Sequence, residues 1–280
     1  MRKFSKIFLS LIFLGAFFLA GCQSRALRLD LEPPSQSGPA FALAEKLYAK
    51  AADLPAVALR GAATYVSARG SRHYFEFEAY SQKPDIFSFL ILGPAGNPAV
   101  RFLLVGPKAY VLDYGPKRYL TGSRGDLNFE SLPAALSPEE LVAILTASLA
   151  AAPVKAQGRR YGVGPNPVSE VWAWLGDSPE PARLTIDGGP ETLTTPNLKL
   201  LKTQTLNGEA LEVAYADYLS VNRRDQPRTY SFPSRVLAKI GSGRSLRTLE
   251  VKYAEVVLGA VLPQEAFRLE PPLGFVLGDL

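Results

Sequence analysis

Enzyme chemistry needs nucleophiles, general acids and bases or metal ligands, and this 280-residue chain is short of most of them. Cys22 is its only cysteine and His73 its only histidine. A lone thiol cannot cross-link the fold. His73 alternates with Phe75 and Phe77, which marks a packing position at a strand end rather than a base or ligand. No HExxH, zinc-type spacing or GxSxG occurs. The stretch "GVGPNP" (162–167) lacks the Lys-Ser/Thr that completes a phosphate loop, and its prolines suit a turn. Arg124-Gly125-Asp126 lies in a glycine-rich turn, where an adhesion tripeptide is a chance match. Glu139 and Glu140 follow Ser137-Pro138, an arrangement that caps a helix and needs no acid–base role. No carboxylate pair is nominated. The residues point to a non-enzymatic protein without metal or cofactor.

Where the single thiol stands is informative. Arg2, Lys3 and Lys6 form a basic start, and Ile7 to Leu19 is an apolar run broken only by Ser10 and Gly15. That run is short of the roughly 20 apolar residues that span a bilayer core, and it fits the apolar region of an export leader. Leu19-Ala20-Gly21-Cys22 resembles the lipobox of bacterial lipoproteins. The resemblance implies cleavage before Cys22, a diacylglyceryl group on its sulfur and an acylated amino terminus. Several acyl chains at about 0.8 kcal/mol per buried CH₂ anchor firmly. Gln23 in place of aspartate implies, by the Gram-negative sorting rule, the outer membrane with the protein facing the periplasm.

Residues 1–21 carry three basic residues and no acids, so the formal charge of +5 falls to +2 once they are removed. No dense basic stripe remains. Arg159-Arg160 and Arg223-Arg224 read as solvated turns, and nucleic acid is not an expected partner. Residues 22–39, the lipidated cysteine and a Pro/Ser/Gly-rich stretch, read as a flexible tether.

The positioning elements follow from periodicity. Phe41, Ala44, Leu47, Tyr48 and Ala51 recur at helical spacing within 40–54. From Val57 the period is two. In 72–80 and 85–92, His73, Phe75, Phe77, Phe87, Phe89 and Ile91 share one parity, and 86–92 is apolar on both sides. Strands at 99–105 and 108–114 follow across short turns, and strands so close must pair antiparallel. "SPEELVAIL" (137–145) predicts a helix lying across the sheet. Residues 151–197 are Pro/Gly-rich and read as an insertion, with short strands at 171–175 and 182–186 and with Trp172 and Trp174 on one face. Alternation returns at 198–206 and 209–218 across Asn207-Gly208, a two-residue hairpin signal. Strands at 229–240 and 245–258 join across Gly241-Ser242-Gly243. A sheet this long curls, and its concave face is either a filled core or an apolar cavity.

In order and element type, most of the chain after the leader resembles the LolB and LolA/LolB-like lipoproteins. The resemblance rests on "FSFLILGPAGNPAVRFLLVGPKAYVLDYGPKRYLTG" (87–122), "LPAALSPEELVAIL" (132–145) and "LEVAYADY" (211–218). It implies a lipobox leader, an antiparallel half-barrel with covering helices, and a cavity for the acyl chains of other lipoproteins. Such cargo comes from a LolA-like periplasmic carrier and is placed in the outer membrane. LolB-like proteins also project a Pro-Leu-Gly loop between two early strands, whose leucine assists delivery. Pro94-Ala95-Gly96 stands at that position as the corresponding membrane-delivery loop, and Ala95 offers far less apolar area.

The expectation is an α+β, mainly β fold. One domain over 40–280 would be an antiparallel half-barrel of about ten or eleven strands covered by two or more helices. Strand parity nominates Phe75, Phe77, Phe87, Phe89, Ile91, Phe102, Leu104 and Val111 as the lining that binds acyl chains of lipoproteins or lipids. The protein would be a monomer held to the membrane through Cys22. The competing expectation is a non-catalytic scaffold lipoprotein of an envelope assembly, built on the same sheet with a solid core. A lipid hydrolase ranks third.

Overall fold

This computed structural model describes residues 46, 47, 49, 56–82, 86–127, 136, 138–147, 160–163, 170–174, 182–187, 197–205, 208–259, 261–267 and 270–280. The leader, Cys22, the tether and Ser137 lie outside the described residues.

Alternating apolar and polar residues build two antiparallel meanders. The first comprises β1 (Ala56–Val66), β2 (Arg72–Gln82), β3 (Ile86–Leu92), β4 (Pro98–Val105), β5 (Lys108–Asp113) and β6 (Arg118–Ser123). Helix α1 (Pro138–Thr146) follows. The second meander runs through β7 (Arg160–Val163), β8 (Glu170–Trp174), β9 (Ala182–Asp187), β10 (Asn197–Gln204), β11 (Ala210–Asn222), β12 (Thr229–Ile240) and β13 (Arg247–Leu258). The two meet where β1 pairs antiparallel with β13. A last strand, β14 (Val276–Asp279), lies parallel to β6. The order is β14-β6-β5-β4-β3-β2-β1-β13-β12-β11-β10-β9-β8-β7, a single open sheet with β14 and β7 at its edges. This is consistent with the expected half-barrel.

Three expectations need correction. Among the described residues the sheet has fourteen strands rather than ten or eleven. The uncounted β6, β7 and β14 are short or rich in polar residues and glycine, so they carry little alternation. One α-helix is bounded among the described residues, against the two or more expected. Lys46, Leu47 and Ala49 are helical, and the rest of 40–54 lies outside the described residues. Finally, the signal at Asn207-Gly208 yields a wider loop than two residues. Gln204 pairs with Ala210, and the Thr205 N–H donates to the Glu209 carbonyl at 2.8 Å.

The main core lies on one face, here called inner, with α1 against it. The seam between the meanders is tight. A Cβ added at Gly61 would stand 2.2 Å from the Lys252 carbonyl oxygen, at the register shift between Arg60 and Gly61. The outer face of β4–β6 holds a second, smaller core of Leu103, Tyr110, Leu112 and Tyr119 against Phe267 and Phe275. The C-terminal segment crosses this side. Arg101 donates to the Glu265 carbonyl at 2.9 Å, and the Phe267 ring meets Tyr80 edge-on at 6.4 Å. Leu90, on the outer side of β3, pairs with Arg101 and is buried. The double-sided apolarity of 86–92 thus accompanies a covered outer face.

Candidate functional site

The inner face of β2–β5 is a ladder in register. Phe77 stands opposite Ile91, Phe89 opposite Phe102, and Phe87 opposite Leu104. Phe102 is in turn opposite Val111. Period-two alternation puts these residues on one side, and antiparallel pairing aligns them across strands. All eight nominated residues therefore meet in one apolar cluster. Phe75 and Ile91 are partly exposed, and the other six are buried. The rings of Phe77 and Phe89 stack at 5.4 Å, and Phe87 continues the row at 6.3 Å from Phe89.

The nominated residues cover only one part of the cluster. Strands β11–β13 supply Val213, Tyr215, Phe232, Val236 and Tyr253 to the same cluster. The signal for them was present in the alternation of 229–240, whose even-numbered Tyr230, Phe232, Val236, Ala238 and Ile240 are all buried. Tyr253 packs edge-on against Phe77 at 6.2 Å and Phe232 at 5.8 Å, so it joins the two halves.

Helix α1 lays Leu141, Ile144 and Leu145 into this cluster. Its start at Pro138 follows the helix signal in the sequence. The Tyr253 hydroxyl donates to the Leu145 carbonyl at 2.6 Å, at the helix end where carbonyls lack intrahelical partners. Burial pushes the Tyr253 and Tyr215 hydroxyls well above their ordinary pKa. Tyr215 differs in having no hydrogen-bond partner for its hydroxyl among the described residues.

The loop Pro94–Gly96 is apart from this cluster. It is the exposed turn between β3 and β4, closed by the Gly93 N–H donating to the Asn97 carbonyl at 2.7 Å. Ala95 has φ +63°, the left-handed region that disfavours a side chain. Cys22 lies outside the described residues, as do the side chains of Trp172 and Trp174.

Other residues with chemical potential have structural partners. His73 stacks on Tyr65 at 6.1 Å across the β1–β2 pair. The Asp126 carboxylate accepts the Ser123 N–H at 2.9 Å, so the Arg-Gly-Asp sequence forms a self-bonded turn. These bonds hold that carboxyl below its ordinary range. Arg223 is buried instead of lying on a solvated turn. Its Nε donates to Asp225 Oδ1 at 2.6 Å and its Nη1 to the Tyr230 hydroxyl at 3.3 Å. Among the described residues no group of His, Cys, Asp and Glu could hold a metal ion, and no helix is long and apolar enough to cross a membrane.

The arrangement is an apolar sheet face under a helix, on an open sheet, which defines a LolA-like fold. Solved structures agree with it. A LolA-superfamily protein of Nitrosomonas europaea matches with TM-score 0.53 and 11% identity, over 83% of this chain and 98% of that one. A DUF1329-family protein of Desulfovibrio piger matches with TM-score 0.57 and 10% identity, over 83% and 98%. A domain assigned to outer membrane lipoprotein sorting, from Vibrio parahaemolyticus, matches with TM-score 0.54 and 10% identity, over 81% and 94%. No protein-family model and no curated protein sequence matches this chain. At such identities the likeness is one of fold.

Proposed function

We propose that this is a non-enzymatic lipoprotein, anchored in the outer membrane through lipidated Cys22, whose inner face takes the acyl chains of lipoproteins or lipids and passes them on. The observation that carries this reading is the continuous apolar face of β2–β5 and β11–β13 on an unclosed sheet, with α1 and the helical residue Leu47 packed into it. The LolA-like fold supports it, as does the lipoprotein-sorting neighbour. Affinity would come from apolar burial at about 25 cal/mol per Å², without head-group chemistry. In the closed form α1 occupies the face, so an acyl chain enters as the helix moves away from Tyr253. A LolA-like periplasmic carrier is the expected donor.

One observation favours the scaffold reading. Phe77 is 0% exposed and Leu104 1%, as in a solid core. Native mass spectrometry on residues 24–280 separates the two. Co-purifying lipid or acylated peptide supports the carrier, and a consistently empty protein supports the scaffold.

A further inference from the structure

Alternate turns of an antiparallel meander fall at the same end of the sheet. The turns 67–71, 93–97, 114–117 and 241–246 therefore form one rim. The C-terminal chain joins it, because β14 starts beside the start of β6, with Val276 opposite Arg118. Immediately before, Pro272–Phe275 makes a turn in which the Phe275 N–H donates to the Pro272 carbonyl at 3.3 Å and Gly274 has φ +85°. Glycine is the residue that takes this conformation without strain. Phe275 is docked edge-on against Tyr114 at 5.6 Å, so the turn is braced. Its remaining side chain, Leu273, is fully exposed.

Leu273 has company. Val276 beside it is also exposed, and a further exposed apolar residue, Leu246, stands farther along the rim in the turn before β13. A fully exposed leucine and an exposed valine held together by a braced turn make a small contiguous apolar knob of the kind that marks an interaction site. The charge at this rim selects the partner. Arg69, Lys117 and Arg244 are exposed and have no ion pair among the described residues. Two rim acids, Asp113 and Glu209, are already held by Arg118 and Arg247. Apolar knobs flanked by unpaired cations fit the interface of an anionic bilayer, where the knobs enter the acyl boundary and the cations meet phosphates.

We infer that this rim, led by Leu273 on its braced turn, docks onto anionic membrane independently of the Cys22 anchor. The inference extends the carrier reading, and the two fail separately. The test uses residues 24–280, which contain every described element, sedimented with phosphatidylglycerol or phosphatidylcholine vesicles. The protein binds phosphatidylglycerol and binds phosphatidylcholine more weakly. Leu273→Ser combined with Val276→Ser lowers affinity by about tenfold or more, the scale of burying an aliphatic side chain. Removing Arg69 or Lys117 charge by glutamine lowers it about fivefold each. Val261 is as exposed as Leu273 but follows β13 at the opposite end, so Val261→Ser changes nothing. Absence of vesicle binding, equal binding to both lipids, wild-type binding by the Leu273/Val276 variant, or equal loss in Val261→Ser each overturns the proposal. Acyl-chain capture by native mass spectrometry is unchanged in all these variants. If vesicle binding is present and the wild-type protein captures no acyl chain, the carrier reading falls and the docking surface stands.

Discussion

The hydroxyl of Tyr253 donates to the Leu145 carbonyl, while that of Tyr215, equally buried on the same face, has no partner among the described residues. The same substitution should therefore act oppositely at the two positions. Tyr253→Phe strands a helix-end carbonyl in the core and should lower unfolding free energy by about 1–3 kcal/mol. Tyr215→Phe removes a group desolvated without compensation and should be neutral or stabilising. Urea denaturation of both variants measures this, and equal losses would contradict the hydrogen-bond assignment. Ala95 makes a third case. The resemblance to LolB-like proteins would make its turn a membrane-delivery loop that lacks the leucine, and on that reading Ala95→Leu should raise vesicle association despite added strain at φ +63°. No change would separate this loop from membrane delivery. Sequence reasoning located the inner-face phenylalanines because alternation is a property of the chain itself. It placed Arg223 on a solvated turn because the partners that bury it, Asp225 and Tyr230, converge only once β11 and β12 pair.

At the scale of elements, the weak point is the seam that joins the two meanders. Gly61 is there because β1 and β13 come too close for a Cβ, which would lie 2.2 Å from the Lys252 oxygen. The three atoms nearest that Cβ are all β13 backbone, so no flexible side chain can yield. Gly61→Ala should therefore cost about 3 kcal/mol, the upper range for overpacking, and thermal melting should show it. Ala62→Gly, one residue away, adds no atom and serves as the comparison. A melting temperature unchanged by Gly61→Ala would mean that the seam can open without loss. The long strands were legible because five or more alternating residues outweigh local propensity. β14 was not, since four residues with a glycine inside carry no period. Its parallel pairing with β6 depends on a chain end returning across the outer face, a long-range event that Phe267 and Phe275 drive only after their pockets exist.

For the whole molecule, protonation defines a stability window. Tyr215 and Tyr253 have hydroxyls whose ionisation burial opposes, so their folded pKa values lie above the ordinary 10.0. Tyr65, Tyr80 and Tyr119 shift in the same direction, chiefly through burial. The folded state then holds protons that the unfolded chain releases above about pH 10. Stability from these groups is complete below that pH and declines as pH rises from there towards the folded values. The acid side has the reverse sign. Lys202 and Lys239 hold the Glu212 carboxyl below its ordinary 4.5. Arg223 does the same for Asp225, and Ser123 for Asp126, both below the ordinary 3.8. Their contribution is present above those values and lost as pH falls through the folded ones, and solvent screening keeps it small for such exposed carboxylates. Unfolding free energy measured by urea from pH 2 to 12 should form a plateau with a shallow acid limb and a steep alkaline one. The double variant Tyr215→Phe/Tyr253→Phe removes the two most deeply buried ionisations, so its alkaline limb should be flatter than that of the wild type. An alkaline limb of unchanged slope would show that these hydroxyls reach solvent before the sheet unfolds, as they would if α1 leaves the inner face in a separate step.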